Sequence, residues 1–237
     1  MMDESTDILR FRDVTIAADY EHESGISGLN LSLAAGDLAV VLLEKEQVRI
    51  PLADAAEGLV MPVQGTVTFL GEDWQMMAAD RVTAQRGKIG RVFEGESWFS
   101  DLDADQDITL AQRHHTRRPV REIEQEAAQL CRVFGLPGLP RGRPSSARWQ
   151  DLQKAACVRA FLGAPILILL ENPTVGIYAE VIAPLIDTVR EACERGAAAL
   201  WTTNDLQVWG NSGLRATARR RMLGSPMCVI EEAKEAT

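Results

Sequence analysis

The sequence predicts an α/β fold, in which helices cover both faces of a parallel sheet and an antiparallel β portion lies early in the chain. Two apolar runs, residues 38–43 and 166–170, contain no alternating polar positions and are too short for most helices. Such runs are typical of strands buried on both faces. Residues 29–33 instead alternate with period two, as a half-buried strand does.

Composition limits the possible classes of protein. The chain has 237 residues, 46% of them hydrophobic, which is enough for one large domain with a sizeable core. Its net charge of −9 disfavours nucleic acid as the main partner. Residues 1–10 are too polar for a signal peptide, and no run approaches the ~18 apolar residues of a membrane span. The four cysteines are scattered without a Cys-x-x-Cys pair, which predicts reduced core thiols and a cytoplasmic protein.

The remaining elements can be assigned in chain order. Strands are predicted at residues 8–16, 65–70 and 88–94, with a helical or loop segment at 73–86. A helical region begins near residue 108 and continues after Pro119, a residue suited to a first helical turn. Further helices are predicted at 152–162 and 182–193, the second with Pro184 near its start. Strands at 197–203, 221–224 and 227–231 complete the sheet.

The order helix, Pro165, apolar strand, Glu171 and Asn172-Pro-Thr resembles the Walker B region of ATP-binding cassette (ABC) ATPases. Gly58 and residues 65–71 also fall at that family's spacing. The resemblance covers about residues 7–232. It implies a single domain with the ABC ATPase fold. A P-loop NTPase-like core with an antiparallel β subdomain would occupy about 7–95 and 163–232, and a helical subdomain about 96–162.

The residues at the family's phosphate-binding loop are unsuited to phosphate. In the family, glycines, a lysine and a hydroxyl pair hold phosphates and magnesium. Here Arg49 stands at the lysine position, and Ile50 and Pro51 replace the hydroxyls. Glu44 and Glu46 bring carboxylates to the place of a polyanion, and one such pairing at about 4 Å costs on the order of 4 kcal/mol at an effective dielectric of about 20. The sequence therefore predicts that ordinary ATP binding is abolished.

The other site positions that the resemblance implies are altered as well. Glu171 stands at the magnesium-ordering aspartate, Asn172 at the catalytic glutamate, Asn204 at the switch histidine and Glu94 at the glutamine that senses magnesium. An amide cannot take a proton from an attacking water, so general-base catalysis is missing. Tyr20 stands where the family has an aromatic ring that stacks on adenine, although a loop tyrosine explains it equally well.

The family's signature segment and its permease-facing surface have counterparts here. Residues 147–151, with Arg148 and the bulky Trp149, replace Leu-Ser-Gly-Gly-Gln, which in the family faces the γ-phosphate of a second subunit. Trp98 and Phe99 follow Glu94. If exposed, these aromatic rings would match the surface that receives the coupling helix of a permease. If buried, they would cover the helical subdomain.

Three functions remain open. The first is a catalytically inactive ABC subunit on the inner face of the cell membrane. It would hold an integral membrane permease and dimerise with itself or with a competent ATPase, with ATP and magnesium bound only by that partner. Residues 113–119, Arg-His-His-Thr-x-x-Pro, resemble the ATPases of bacterial MCE-linked lipid transport, which implies lipid as cargo. The second is a weak ATPase that uses Arg49 and Glu171. The third is a soluble regulatory or scaffold protein on an ABC frame.

Overall fold

The computed structural model describes residues 7–20, 22, 24–43, 49–95, 97–223 and 227–232. The strands in this part of the chain are β1 Leu9–Ile16, β2 Gly25–Leu33, β3 Leu38–Leu43, β4 Gln64–Phe69, β5 Glu72–Asp73, β6 Ile89–Val92, β7 Leu167–Glu171, β8 Ala198–Thr203, β9 Ala218–Leu223 and β10 Met227–Glu232. The helices are α1 Leu52–Ala56, α2 Ala79–Arg86, α3 Ala104–His115, α4 Val120–Val133, α5 Trp149–Phe161, α6 Tyr178–Glu194 and α7 Leu206–Trp209.

The strands form one mixed sheet in the order β5-β4-β1-β2-β10-β9-β3-β8-β7-β6. From β9 to β6, each neighbouring pair is parallel. At the other end, β1 pairs antiparallel with both β2 and β4. Between the two parts, β10 runs parallel to β2 and antiparallel to β9. The predicted combination of a parallel sheet with an antiparallel portion is confirmed.

Alternate residues of the central strands are buried on opposite faces of the sheet. Val40, Ile168 and Leu170 pack into one apolar cluster, which the helices α3 to α6 complete. Val41 and Leu169 pack into a second cluster with β1, β2 and α1. Burial on both faces explains why these two strands read as continuous apolar runs.

Several helix positions differ from the sequence-based prediction. The helix α3 begins at Ala104, four residues early, because the Asp103 N–H donates to Gln106 Oε1 at 3.1 Å and caps its first turn. The helix α5 begins at Trp149 and not at residue 152. Pro119 has a ψ of 135°, so it precedes α4 and does not lie in its first turn. Pro184 lies inside α6.

The segment after β6 is anchored to the helices by a buried ion pair. Arg159 Nη1 donates to Asp107 Oδ1 at 2.7 Å and to the Ser97 carbonyl at 2.9 Å, while the Phe99 N–H donates to Asp107 Oδ2 at 2.8 Å. Trp98 packs against the apolar cluster under the Arg159 guanidinium, whereas Phe99 is 58% exposed. The Trp98 ring thus covers the helical subdomain, whereas the Phe99 ring is exposed. None of the helices described here has both the length and the apolar content needed to cross a bilayer.

Candidate functional site

Four of the predicted site residues lie where three parallel strands end. Glu171 is the last residue of β7 and Asn172 follows it, while Glu94 follows β6 and Asn204 follows β8. The carboxyl ends of neighbouring parallel strands meet at one edge of a sheet, which is where ligands bind in α/β folds. Asn172 has a φ of 42°, a left-handed conformation that asparagine tolerates better than most residues.

A buried arginine binds three carboxylates next to this edge. Arg91, in β6, is 7% exposed. Its Nε donates to Glu171 Oε2 at 2.7 Å, and its Nη1 donates to Asp54 Oδ1 at 2.6 Å and to Glu57 Oε2 at 2.9 Å. Its guanidinium carbon also lies 4.3 Å from the ring centroid of Phe93, which adds a cation–π contact. We call Arg91, Asp54, Glu57 and Glu171 the Arg91 cluster.

Burial and the ion pairs shift the pKa values within the Arg91 cluster in opposite directions. Burial alone would lower the pKa of Arg91, but the carboxylates of Glu171 and Glu57 outweigh it and hold that pKa raised. Burial would raise the pKa of Asp54, yet Arg91 and the hydrogen bond with His22 hold it lowered. For Glu57 burial prevails, and its pKa is raised despite Arg91. The pKa values of Asp54 and Glu57 are therefore shifted in opposite directions around one permanent cation.

A histidine extends the cluster toward the segment before β2. His22 is buried, with Nε2 2.7 Å from Asp54 Oδ2 and Nδ1 3.0 Å from Asp19 Oδ1. Tyr20, two residues earlier, is 95% exposed. A free tyrosine ring at this place is consistent with both alternatives considered for it.

The side chain of Asn172 links the three strand ends. Its Nδ2 donates to Glu94 Oε1 at 2.8 Å, and its Oδ1 accepts from the Asn204 N–H at 2.9 Å. Its backbone N–H donates to the Thr202 carbonyl at 3.0 Å. The residue is buried, so its amide group is held by protein partners on both sides. Three predicted site positions thus form one hydrogen-bonded unit.

The space beside the Arg91 cluster is small. A cavity of about 20 Å³ is lined by His22, Arg49, Ile50, Asp54, Arg91, Phe93, Glu94 and Glu171. The structure therefore brings Arg49, Ile50, Glu94 and Glu171 together around one cavity. Glu44 and Glu46 lie outside the described residues. Asn172 and Asn204 line a separate open groove of about 690 Å³.

Trp149 lies apart from the Arg91 cluster. Its ring packs against Gly176, in the loop between β7 and α6, so closely that a Cβ added at Gly176 would lie 2.6 Å from it. Trp149 is 44% exposed, and it lines a cavity of about 210 Å³ together with Trp98, Gly95 and Leu152. A large ring thus occupies the start of α5, which the resemblance places at the glycines of the family's signature segment.

Sequence reasoning missed Arg91, Asp54, Glu57 and His22. One signal was available, because Arg91 interrupts the otherwise apolar residues 89–93 and a charge in a buried strand requires a partner. A second was the spacing of Asp54 and Glu57, which puts both carboxylates on one helix face. Within the described ranges, no group of three or more His, Cys, Asp and Glu side chains is arranged to hold a metal ion.

Comparisons with known proteins agree with the fold. No family model matches the sequence. The chain is 27% identical over 167 residues to the intermembrane phospholipid transport system ATP-binding protein MlaF of Haemophilus influenzae, a match that covers 69% of this chain and 63% of MlaF. It is 28% identical over 177 residues to the lipoprotein-releasing system ATP-binding protein LolD of Oleidesulfovibrio alaskensis, covering 73% of this chain and 76% of LolD. It is 26% identical over 201 residues to the sulfate/thiosulfate import ATP-binding protein CysA 2 of Rhizobium meliloti, covering 83% of this chain.

The match to CysA 2 spans only 53% of that relative's length. Among solved structures, the dimeric structure of MJ0796, a bacterial ABC transporter cassette, superposes with a TM-score of 0.79 at 18% identity, covering 95% of this chain and 99% of that one. The ATP-binding subunit of another ABC transporter superposes with a TM-score of 0.75 at 18% identity, covering 95% and 90%. The chain has the ABC ATPase fold, and in sequence it is similar to ATP-binding subunits of ABC transporters.

Proposed function

We propose that the protein is a catalytically inactive ABC ATPase-like subunit of a membrane transport complex. The observation that carries this proposal is the 2.7 Å contact between Arg91 Nε and Glu171 Oε2. Glu171 stands at the position that orders magnesium in the family. Its carboxylate is instead bound by Arg91, a cation of the chain itself. A metal ion bound to Glu171 would lie next to the Arg91 guanidinium and would be repelled by its charge. The charge that a metal would supply is already present.

The residues at this edge do not fit a magnesium–nucleotide group. Asn172 offers an amide where the family has a base, and both ends of that amide are hydrogen-bonded within the protein. Ile50 is buried and offers no hydroxyl. The cavity of about 20 Å³ suits roughly one water molecule. Each of these features supports a site that has lost nucleotide chemistry.

The transport role is supported by the relatives. MlaF is named for phospholipid transport and LolD for lipoprotein release. Together with the resemblance of residues 113–119 to MCE-linked ATPases, these names favour lipid transport with an MCE system. We propose an integral membrane permease as partner, contacted through the surface around Phe99, and a second ABC subunit that binds ATP and magnesium where any is bound. The chain would then lie peripherally on the inner face of the cell membrane.

The two alternative functions, a weak ATPase and a soluble scaffold protein, require different features of the structure. A weak ATPase requires a Glu171 carboxylate that can hold a metal, but Arg91 binds that carboxylate. A soluble scaffold protein on the ABC frame has the same site chemistry as an inactive transport subunit and differs from it only in its partners. Nucleotide binding therefore tests the first alternative, and partner identification tests the second.

The nucleotide test is calorimetric titration of the purified chain with Mg-ATP, with an ABC ATPase of intact phosphate loop as the positive control. We expect no binding heat at physiological nucleotide concentrations. Saturable binding would contradict the proposal and favour the weak ATPase.

The partner test is purification of the chain from its host's membranes in mild detergent, followed by mass spectrometry. Recovery of a multispanning permease supports the transport role, and an MCE-domain protein in the same complex supports lipid as cargo. A chain that brings no membrane protein would contradict the transport role and favour the scaffold.

A further inference from the structure

We propose that the corner between α3 and α4 is a contact surface for anionic lipid headgroups. Residues 113–121 contain four arginines and two histidines and no acidic residue, in a chain whose net charge is −9. Seven of these nine residues are exposed. We call this segment the basic corner. It concentrates positive charge on an exposed segment of a chain whose net charge is negative.

The arginines of the basic corner differ in their partners. Arg118 forms an ion pair with Glu126 of α4, which accounts for its charge within the fold. Arg113, Arg117 and Arg121 form no ion pair with any of the residues that the structure describes. Three guanidinium groups therefore project into solvent, where they are available to an external anion.

The helix dipoles explain only part of this charge. Arg113, His114 and His115 lie in the last turn of α3, where cations stabilise the helix. Arg117 precedes α4 and Arg121 lies in its first turn, at the positive end of that helix. Cations at this end oppose the dipole. Helix stability thus does not account for Arg117 and Arg121, and a bound anion would offset the repulsion.

The chemistry of the basic corner favours a lipid surface. Guanidinium groups bind phosphate oxygens in bidentate fashion. Val120 is 43% exposed between Pro119 and Arg121, so an apolar group accompanies the cations, as in segments that rest at a membrane interface. An anionic lipid surface offers many phosphate groups at once, enough for the three exposed guanidinium groups. The interaction requires neither a permease nor an ATPase, so its test is independent of the proposed transport role.

The test is sedimentation of the full chain with vesicles of phosphatidylcholine, with and without phosphatidylglycerol. We expect binding only when phosphatidylglycerol is present, with release at high salt. Each basic residue near an anionic surface strengthens binding by about fivefold, so the triple variant Arg113→Gln/Arg117→Gln/Arg121→Gln should partition about 100-fold more weakly.

The matched control is Arg12→Gln/Arg132→Gln/Arg141→Gln, which removes three exposed arginines from other surfaces and changes the net charge equally. This control should bind the vesicles as the unaltered chain does, and both variants should still unfold cooperatively on heating. Equal loss of binding in the two variants, or no binding by the unaltered chain, would overturn the proposal. Displacement by inorganic phosphate but not by chloride of equal ionic strength would overturn it in favour of a free-phosphate site. Capture of an acidic protein partner without vesicle binding would overturn it in favour of a protein contact.

Discussion

Asn172 and Glu94 join the ends of β7 and β6 through one hydrogen bond, in which Asn172 Nδ2 donates to Glu94 Oε1 at 2.8 Å. The resemblance places Asn172 at the family's catalytic glutamate and Glu94 at its magnesium-sensing glutamine. On that correspondence, the pair keeps one amide and one carboxylate with their places reversed, and β7 would end without the family's base.

Asn172→Asp tests this hydrogen bond. The substitution places two carboxylates at hydrogen-bond distance, where one must be protonated or the contact must open. We expect the free energy of unfolding in urea to fall by about 1–3 kcal/mol at neutral pH. The double variant Asn172→Asp/Glu94→Gln restores one carboxylate and one amide and should recover most of the loss. A double variant as unstable as the single one would show that the pair is not coupled.

Arg91→Met tests the Arg91 cluster. It removes the guanidinium that binds Asp54, Glu57 and Glu171 and leaves those carboxylates enclosed. We expect a loss of about 3–5 kcal/mol in urea unfolding, typical of breaking a buried ion pair from one side.

Arg81→Met serves as the control for Arg91→Met. Arg81 pairs with Glu72 on the surface, where water and salt screen the interaction. We expect its unfolding midpoint to stay close to that of the unaltered chain. Similar losses in the two variants would mean that the Arg91 cluster contributes no more than a surface pair.

The raised pKa of Glu57 predicts that the stability of the fold depends on pH. Because burial raises the pKa of Glu57 above its ordinary 4.5, the folded chain retains a proton that the unfolded chain has released. The contribution of Glu57 to the free energy of unfolding therefore falls as the pH rises from 4.5, the ordinary pKa, through the raised pKa of the folded chain. Glu57→Gln cannot titrate, so it should gain stability relative to the unaltered chain as the pH rises from 4.5 through the raised pKa of Glu57.

Asp54→Asn is the opposing control. The pKa of Asp54 is lowered below 3.8 in the folded chain, so its contribution is present above that value and is lost as the pH falls through the folded pKa. Asp54→Asn should therefore lose stability at neutral pH and approach the unaltered chain in acid. Parallel pH profiles for the two variants would contradict the charge states assigned to the Arg91 cluster.

The strands were predictable because their signal is local. Val40 and Val41 are buried on opposite faces of β3, and this leaves a continuous apolar run that can be read directly from the sequence. Glu171, Asn172 and Asn204 could be placed because each directly follows or ends such a run. Their positions at one edge follow from the parallel order of the strands.

The contacts within the site could not be predicted because they join distant parts of the chain. Arg91 binds Asp54, Glu57 and Glu171, which lie 37, 34 and 80 positions away from it in the sequence. No local sequence pattern indicates which carboxylates a buried arginine will bind. The early start of α5 is a similar case, since the contact between Trp149 and Gly176 forms only in the folded chain.

The contact between Trp149 and Gly176 is tested by Gly176→Ala. Gly176 has a φ of 68°, and its added Cβ would lie 2.6 Å from the Trp149 ring, so the substitution combines backbone strain with a clash. Gly135 has a φ of 76° with no atom within 4 Å of an added Cβ, so Gly135→Ala shows the strain alone, about 1–2 kcal/mol. We expect Gly176→Ala to lose more than Gly135→Ala in urea unfolding. In a Trp149→Ala background the excess should vanish, because the clashing ring is gone while the strain remains. If Gly176→Ala cost the same with and without Trp149, the ring would not be held against this loop in solution.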